Sequence, residues 1–377
     1  MKELEEKNLD LYLADERFTF AINGEEIEYS GLYQGLKKYL LPLHAEVTSG
    51  AILEDIDKQI KEIEASALSD NNKENYFKLS KVRWLNDHGP NHIQTVIKRA
   101  SQLLANGKIL LTPREVYFLL SAIQLHDVGN IFGRIGHERR IMQVVAKGKE
   151  HIGTDNMDRI WITRIAEVHG GTTKITGDKD TISQLDVIAD YDNEQVRLRL
   201  LGSILRFADE LAEEKYRGSE TLLENGKIPK GSEIFHLFSL CVSSIGVEHS
   251  TGTIKVQLGV NIKFLEQKFG KGKEEVYIID EIYERMIKMH LERIYCCRFW
   301  KPDIHLEKIF TRIVFFSEDF EDLCPNDLTF TLEENGYPKN SQSIFELCPD
   351  LVDNGINMDG SFFNDLVNKI KQPDESF

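Results

Sequence analysis

A histidine and an aspartate stand next to each other at His126 and Asp127, within the sequence LHDVGN. Each of four further side chains with metal-ligating groups lies in or beside a segment with a helical pattern: His92, His137, His169 and Asp209. Imidazoles and carboxylates in this number can hold one or two divalent cations over a phosphate ester. The chain is therefore expected to fold so that these six side chains converge.

Composition narrows the class of protein. The chain has 377 residues, of which 41% are hydrophobic and 29% are charged, enough for two or three compact units with their own cores. Its net charge of -16 argues against a protein that coats duplex nucleic acid, because such proteins need a basic surface. The negative net charge does not exclude a small anionic ligand, because metal ions and arginines can make the electrostatic potential positive within a cleft.

No apolar run of 18 residues or more occurs, and the first residues, MKELEEKNLDLYLADE, are unlike a signal peptide. We therefore expect a cytoplasmic protein with no membrane contact. The five cysteines form no CxxC pair, so we interpret them as reduced thiols.

The middle of the chain has helical patterns throughout. One helix is predicted to begin at Pro90, and the next at the capping box Thr112-Pro113-Arg114-Glu115. This second helix carries the His-Asp doublet to its last turn. Further helices are predicted near His137, over residues 155–169 and over residues 196–215.

Outside this region the patterns change. Residues 1–80 are expected to form a helical extension with an amphipathic helix over 51–67. After about residue 232 the segments IFHLFSLCVSSIGVEH, TGTIKVQLGVNIKF and KIFTRIVFF predict strands, with a helix over 274–299 between the last two. The predicted fold is mainly α: a helical core over 81–235, a smaller α+β unit over 236–320 and an irregular segment over 321–377.

The motifs HGPNHIQTV, LHDVGN and LRFADELA resemble the signature of HD-domain metal-dependent phosphohydrolases, over about residues 85–217. Within that superfamily the chain most resembles HD proteins of bacterial conflict and antiphage systems, which implies a role in antiviral defence. The resemblance implies a minimum metal set of four residues: His92, His126, Asp127 and Asp209. A two-metal version of the family adds His137 and His169.

The resemblance also implies the cofactor and the reaction. One or two divalent ions, Mn²⁺, Mg²⁺, Fe²⁺, Co²⁺ or Ni²⁺, would be bridged by Asp127 and would activate a hydroxide to attack phosphorus. Asp127, His137 and Glu138 are the expected catalytic residues, with Glu138 as a proton shuttle. Six nearby residues are candidates for contacting the substrate: His88, Arg134, Arg139, Arg206, Lys215 and Arg217. His88 could instead be a metal ligand or support one.

The expected function is hydrolysis of a nucleotide, with a deoxynucleoside triphosphate as first candidate. The segment HDVGNIFGRIGHER resembles the motif found in triphosphohydrolases but departs from it at two points. Asn130 replaces a histidine, and two additional residues precede His137. Two alternatives stay open: a phosphodiesterase of a cyclic or oligonucleotide messenger, and a module that senses nucleotides without turnover. A nucleotide effector and a homo-oligomer are further expectations.

Overall fold

A computed structural model describes residues 19–22, 25–46, 89–106, 108–132, 136–174, 176–191, 194–317, 325–334 and 343–371. The chain divides into two compact units. The first comprises residues 1–212 and 296–304, and the second comprises residues 213–295 and 305–377.

The first unit begins with a hairpin of β1 (Thr19–Ile22) and β2 (Glu25–Glu28), followed directly by helix α1 (Tyr29–Glu46). The buried side chains of α1 recur at helical spacing at Tyr29, Tyr33, Leu36 and Leu40. The predicted helix over 51–67 lies outside the described residues.

Helices α2 (Pro90–Leu104) and α3 (Pro113–Leu125) begin where the sequence predicts. At α3 the capping box is complete: the Thr112 side chain accepts from the backbone N–H of Glu115, and the Glu115 side chain accepts from the N–H of Thr112. The start of α3 is thereby fixed, and with it the position of the doublet at its other end.

The next two α-helices are α4 (Ile141–Lys147) and α5 (Asn156–Glu167). The side chain of Asp155 caps the N-terminus of α5. A short hairpin of β3 (Ala189–Tyr191) and β4 (Glu194–Val196) leads into α6 (Leu198–Glu210). Helix α6 is shorter than the predicted 196–215. It packs against α2, α3 and α5, so it lies at the centre of the core.

The second unit contains a four-stranded sheet in the order β10-β9-β6-β5. Its strands are β5 (Val242–Glu248), β6 (Thr253–Asn261), β9 (Lys308–Phe316) and β10 (Leu328–Glu333). Strands β6 and β9 pair in parallel, and the other two pairings are antiparallel. The parallel pair requires a crossover, and helix α9 (Ile278–Cys297) provides it.

Short elements complete the second unit: α7 (Glu220–Glu224), α8 (Glu233–Cys241), β7 (Phe269–Lys271), β8 (Glu274–Val276), α10 (Ile344–Leu347), β11 (Val352–Asp353), β12 (Ile356–Asn357) and α11 (Gly360–Lys371). Within the described part of the chain, no helix combines the length and the apolar character that crossing a membrane requires.

Two predictions for this region were wrong in detail. Residues 234–241 were expected to begin a strand but form α8, because Ile234, Leu237, Phe238 and Cys241 recur at helical spacing and are all buried. The segment after residue 320 was expected to contain irregular connections with one or two short helices; the helices α10 and α11 are present, but the edge strand β10 was not expected. The fold class, mainly α with a C-terminal α+β unit, is confirmed.

Candidate metal centre

His92 lies in the first turn of α2, where its side chain is fully buried. The helix begins after Gly89 with Pro90 at its first position, a residue whose fixed φ suits a helix start. Because Ile93, Val96 and neighbouring apolar residues face the core, the same face of α2 directs His92 inward.

His126 is the residue that ends α3, and its ring is fixed by the backbone. The Nδ1 atom lies 2.7 Å from the carbonyl oxygen of Ile123. A carbonyl can only accept, so Nδ1 carries a proton, and Nε2 is the nitrogen that faces the interior and would bind a metal in place of a proton. An imidazole held in this way is preorganised as a metal ligand.

Three side chains surround the Nε2 atom of His126. This atom lies 3.3 Å from Nε2 of His92, 3.4 Å from Oδ2 of Asp127 and 3.5 Å from Oδ1 of Asp209. The Nε2 atom of His92 is in turn 3.1 Å from the same oxygen of Asp209. One ligand atom from each residue fits within a space of 4.8 Å. The group therefore offers two nitrogens and two oxygens to one cation.

A second group forms on the other side of Asp127. Its Oδ1 atom lies 3.1 Å from Nε2 of His137 and 3.8 Å from Nε2 of His169. The two imidazole Nε2 atoms are 3.0 Å apart. His169 repeats the arrangement of His126, because its Nδ1 donates to the carbonyl oxygen of Ala166 over 2.6 Å.

Asp127 thus belongs to both groups through different oxygens: Oδ2 faces His92 and His126, and Oδ1 faces His137 and His169. A carboxylate that presents one oxygen to each of two adjacent nitrogen-rich groups is suited to bridge two divalent cations. The donor set of imidazole nitrogens and carboxylate oxygens could hold a divalent cation. All six ligand candidates predicted from the sequence are brought together.

The charges of the cluster favour a cation. Burial lowers the pKa of His126, but the nearby carboxylates of Asp127 and Asp209 outweigh it and raise the pKa to about 10. Burial would raise the pKa of Asp209, yet its hydrogen bonds to His126 and His92 hold it well below the usual value. Burial, with the neighbouring His126 and His137, lowers the pKa of His169 to about 3. The carboxylates therefore supply negative charge that a bound metal would balance.

Asp209 is the most exposed of the six ligand candidates. The side chains of His92 and His126 are 0% exposed and that of Asp127 is 5% exposed, whereas that of Asp209 is 26% exposed. In the second group, His169 is 4% and His137 is 10% exposed. Solvent therefore reaches the cluster mainly at Asp209.

Three residues around the second group support its geometry. The amide of Asn130 donates to Oδ1 of Asp127 over 2.9 Å, and Oε2 of Glu138 lies 3.5 Å from Nδ1 of His137. Gly129 has no room for a side chain, because a Cβ atom there would lie 2.0 Å from the carbonyl oxygen of His137. This glycine therefore lets the chain bring His137 back to the doublet.

The predicted substrate contacts have varied positions. His88 and Arg134 lie outside the described residues. Arg139 is half exposed and donates to the carbonyl oxygen of Thr172 in the turn after His169. Arg206 is buried and donates to the carbonyl oxygen of Lys179 and to Oγ1 of Thr181.

Lys215 and Arg217 belong to the second unit, in a short 3₁₀ turn. Arg217 is buried there and forms an ion pair with Glu213.

Sequence reasoning missed Arg99, a buried arginine within the apolar face of α2. Its Nε atom donates over 3.0 Å to the carbonyl oxygen of Leu211, the residue that ends α6. This bond ties α2 to the end of the helix that carries Asp209. The signal available in the sequence was a single charge among the apolar positions of a helix.

Comparison with known proteins supports an HD-type domain. Residues 80–286, more than half of the chain, match the HD-CE family. No curated protein matches the chain. The matched range includes all six residues of the cluster, and the HD-type domain with a buried His/Asp group that could hold a divalent metal fits a phosphohydrolase in general. The chain belongs to the HD-CE family.

Proposed function

We propose that the protein is a metal-dependent phosphohydrolase that acts on nucleotides, with a deoxynucleoside triphosphate as its first candidate substrate. The observation that carries the proposal is the position of Asp127, which presents one carboxylate oxygen to each of the two histidine groups. His92, His126 and Asp209 would hold one cation with Asp127, and His137 and His169 would hold a second. When bound, these ions supply a Lewis acid for the phosphate oxygens and a water of lowered pKa.

The protein's own groups orient and move protons around this centre. Asn130 holds the carboxylate of Asp127 in one rotation through its 2.9 Å hydrogen bond. Glu138 has a side chain that is 13% exposed beside Nδ1 of His137, so its Oε2 can accept a proton at the edge of the cluster. The burial of His92 and His126 excludes bulk water from the inner side of the site.

Arg139 supports the choice of an anionic substrate. Its side chain is 52% exposed, and one terminal nitrogen is fixed by the carbonyl oxygen of Thr172, close in sequence to His169. Its Nε atom lies 3.9 Å from Oε1 of Glu138, and the terminal nitrogens of the planar guanidinium suit phosphate oxygens. The polyphosphate of a nucleoside triphosphate would offer such oxygens.

The test is a substrate panel. The purified chain is incubated with each of Mn²⁺, Mg²⁺, Fe²⁺, Co²⁺ and Ni²⁺ and with nucleoside and deoxynucleoside mono-, di- and triphosphates, cyclic nucleotides and short oligonucleotides. Chromatography and phosphorus NMR then identify the products. We expect hydrolysis of deoxynucleoside triphosphates in the wild type.

The panel separates the alternatives. Consumption of only cyclic or oligonucleotide substrates would replace the proposal with a phosphodiesterase. If no compound of the panel is hydrolysed with any of the metals, the result would contradict the proposal of an enzyme and favour a nucleotide-sensing module. An effector, a homo-oligomer and a role in defence stay predictions.

A further inference from the structure

A pocket separate from the metal centre lies in the first unit. It encloses about 340 Å³, and its lining includes Val187, Arg197, Arg199, Arg298, Trp300 and Lys301. We call it the arginine pocket. None of the six residues of the metal cluster lines it.

The basic residues of the arginine pocket differ in how their charge is compensated. Arg197 forms an ion pair of 2.6 Å with the buried carboxylate of Glu115, so its charge is neutralised within the protein. Arg199 donates to two backbone carbonyl oxygens, that of Leu185 over 2.7 Å and that of Ser183 over 2.9 Å. Carbonyls fix the guanidinium but leave its net charge intact.

The charge of the pocket is therefore positive. Among the described residues no carboxylate forms an ion pair with Arg199. Arg298 and Lys301 are exposed and line the same pocket, and Asp303 is the one acidic side chain among its described lining residues. With Arg197 balanced by Glu115, Arg199 and Lys301 face the carboxylate of Asp303 among the described lining residues, in a chain whose net charge is -16. This local reversal of sign favours an anionic ligand.

The rest of the lining is apolar. Val187 and its neighbour Ile188 are 59% and 43% exposed, although each carries a branched aliphatic side chain. Trp300 is 1% exposed and rigidly placed, because its Nε1 donates to Oγ of Ser203 over 2.8 Å. The exposed side chains of Val187 and Ile188 therefore form an apolar wall, which gains free energy when an apolar group covers it.

We propose that the arginine pocket binds an aromatic organic anion, with its acidic group on Arg199 and Lys301 and its ring against the apolar wall. A ring is favoured over an aliphatic chain because guanidinium groups stack on aromatic faces, as Arg298 does over Phe299. Arg199 and Asp209 both lie on α6, ten residues apart, so a helix rise of about 15 Å separates them. The pocket is therefore distinct from the metal centre, and the proposal does not depend on the proposed function.

The experiment uses 1-anilinonaphthalene-8-sulfonate, a fluorescent aromatic anion, with the full chain. Its affinity is measured by fluorescence titration and compared with that of N-phenyl-1-naphthylamine, which has the same rings without the sulfonate. We expect saturable binding of the anion, weaker binding of the neutral compound and no effect of a metal chelator. Arg199→Gln removes a charge-assisted contact and should lower the affinity about tenfold.

Two further variants keep the result interpretable. Lys301→Gln changes an exposed side chain, so it should weaken binding without disturbing the fold. Arg164→Gln, at an exposed position on α5 that does not line the pocket, should bind like the wild type. Equal affinity of the wild type, Arg199→Gln and Lys301→Gln would overturn the proposal, and so would equal affinity for the neutral compound.

Discussion

The amide of Asn130 donates a hydrogen bond of 2.9 Å to Oδ1 of Asp127, the oxygen that lies 3.1 Å from Nε2 of His137. This bond fixes the rotation of the carboxylate, so that Oδ2 faces the other histidine group. Asn130 therefore positions the residue shared by both halves of the cluster without itself being a ligand candidate.

Replacement of Asn130 by alanine should weaken metal binding. Residues that orient a ligand typically contribute about ten- to a hundredfold in metal affinity, and we expect a loss in that range. Isothermal titration with Mn²⁺ measures it. Asn225→Ala removes an amide that bonds the carbonyl oxygen of Thr221 in the second unit and should leave the affinity unchanged. If both variants bind Mn²⁺ like the wild type, Asn130 does not position the carboxylate.

Asp127→Asn should abolish turnover. The amide keeps the size of the side chain but removes the negative charge and one of the two acceptor oxygens, so it cannot bridge two cations. We expect the activity found in the substrate panel to fall to background, while circular dichroism shows an unchanged helix content. Asp186→Asn, at an exposed position of the same unit, is the matched control and should retain full activity. Turnover in Asp127→Asn would contradict the bridging role.

Bound metal should stabilise the protein against heat. A ligand that binds only the folded state at a hundred times its Kd adds about 2.7 kcal/mol to the free energy of unfolding. Calorimetry of the wild type should therefore show a higher Tm for the transition of the first unit with Mn²⁺ than with EDTA. The same comparison in Asp127→Asn should show a much smaller difference. If the wild-type Tm is the same with EDTA as with Mn²⁺, the result would argue against a preformed metal site.

Much of the metal centre could be predicted because its signals are local. A capping box and a proline at the first helical position fix the starts of α3 and α2, and the His-Asp doublet then follows at the end of α3. The remaining ligand candidates occur in the order that the family resemblance implies. The sequence could not reveal that the two oxygens of Asp127 face different histidines, because that depends on the packing of α2, α3 and α6.

The errors arose where local preference and tertiary context disagree. Ile234 to Cys241 is rich in apolar and aromatic residues, which suggests a strand, but its burial follows helical spacing. Strand β10 was missed because the short run LTFTLE carries a weak signal by itself, and its pairing with β9 depends on the tertiary fold. Arg206 stays a predicted substrate contact, and its Nη1 atom donates to the carbonyl oxygen of Lys179 and to Oγ1 of Thr181, acceptors that are not recognisable from sequence.

The ion pair between Glu115 and Arg197 should contribute strongly to the stability of the first unit. The carboxylate is 1% exposed and accepts from Nε and a terminal nitrogen of Arg197, so Arg197→Ala leaves a buried charge with only backbone donors. Removal of one partner of a buried ion pair lowers the free energy of unfolding by about 3 kcal/mol or more. Because the side chain of Arg197 is 37% exposed, we expect a loss near the lower limit of this range. Chemical denaturation measures the change.

The matched control is Arg312→Ala, which breaks an exposed pair with Asp327. Exposed pairs contribute less than about 1 kcal/mol. If Arg197→Ala is no more destabilising than this control, the buried pair does not hold α3 to the start of α6.

His236 should make the second unit sensitive to acid. It is 3% exposed on α8, and neither ring nitrogen has a hydrogen-bond partner among the described residues. Burial lowers the pKa of His236 to about 4, against an ordinary value near 6.5. The unfolded chain therefore binds a proton between these pH values while the folded chain does not, so stability is complete above pH 6.5 and is lost as pH falls toward 4.

At pH 5 this difference corresponds to about 2 kcal/mol of lost stability relative to pH 8. His236→Phe removes the titrating group and keeps an aromatic ring in an apolar site, so its free energy of unfolding should fall less between pH 8 and pH 5 than that of the wild type. Urea denaturation at the two pH values measures the difference. His305→Phe, at an exposed position of the same unit, should keep the wild-type dependence. A parallel loss of stability in the wild type and His236→Phe would show that His236 is protonated in the folded protein or that other groups dominate its acid response.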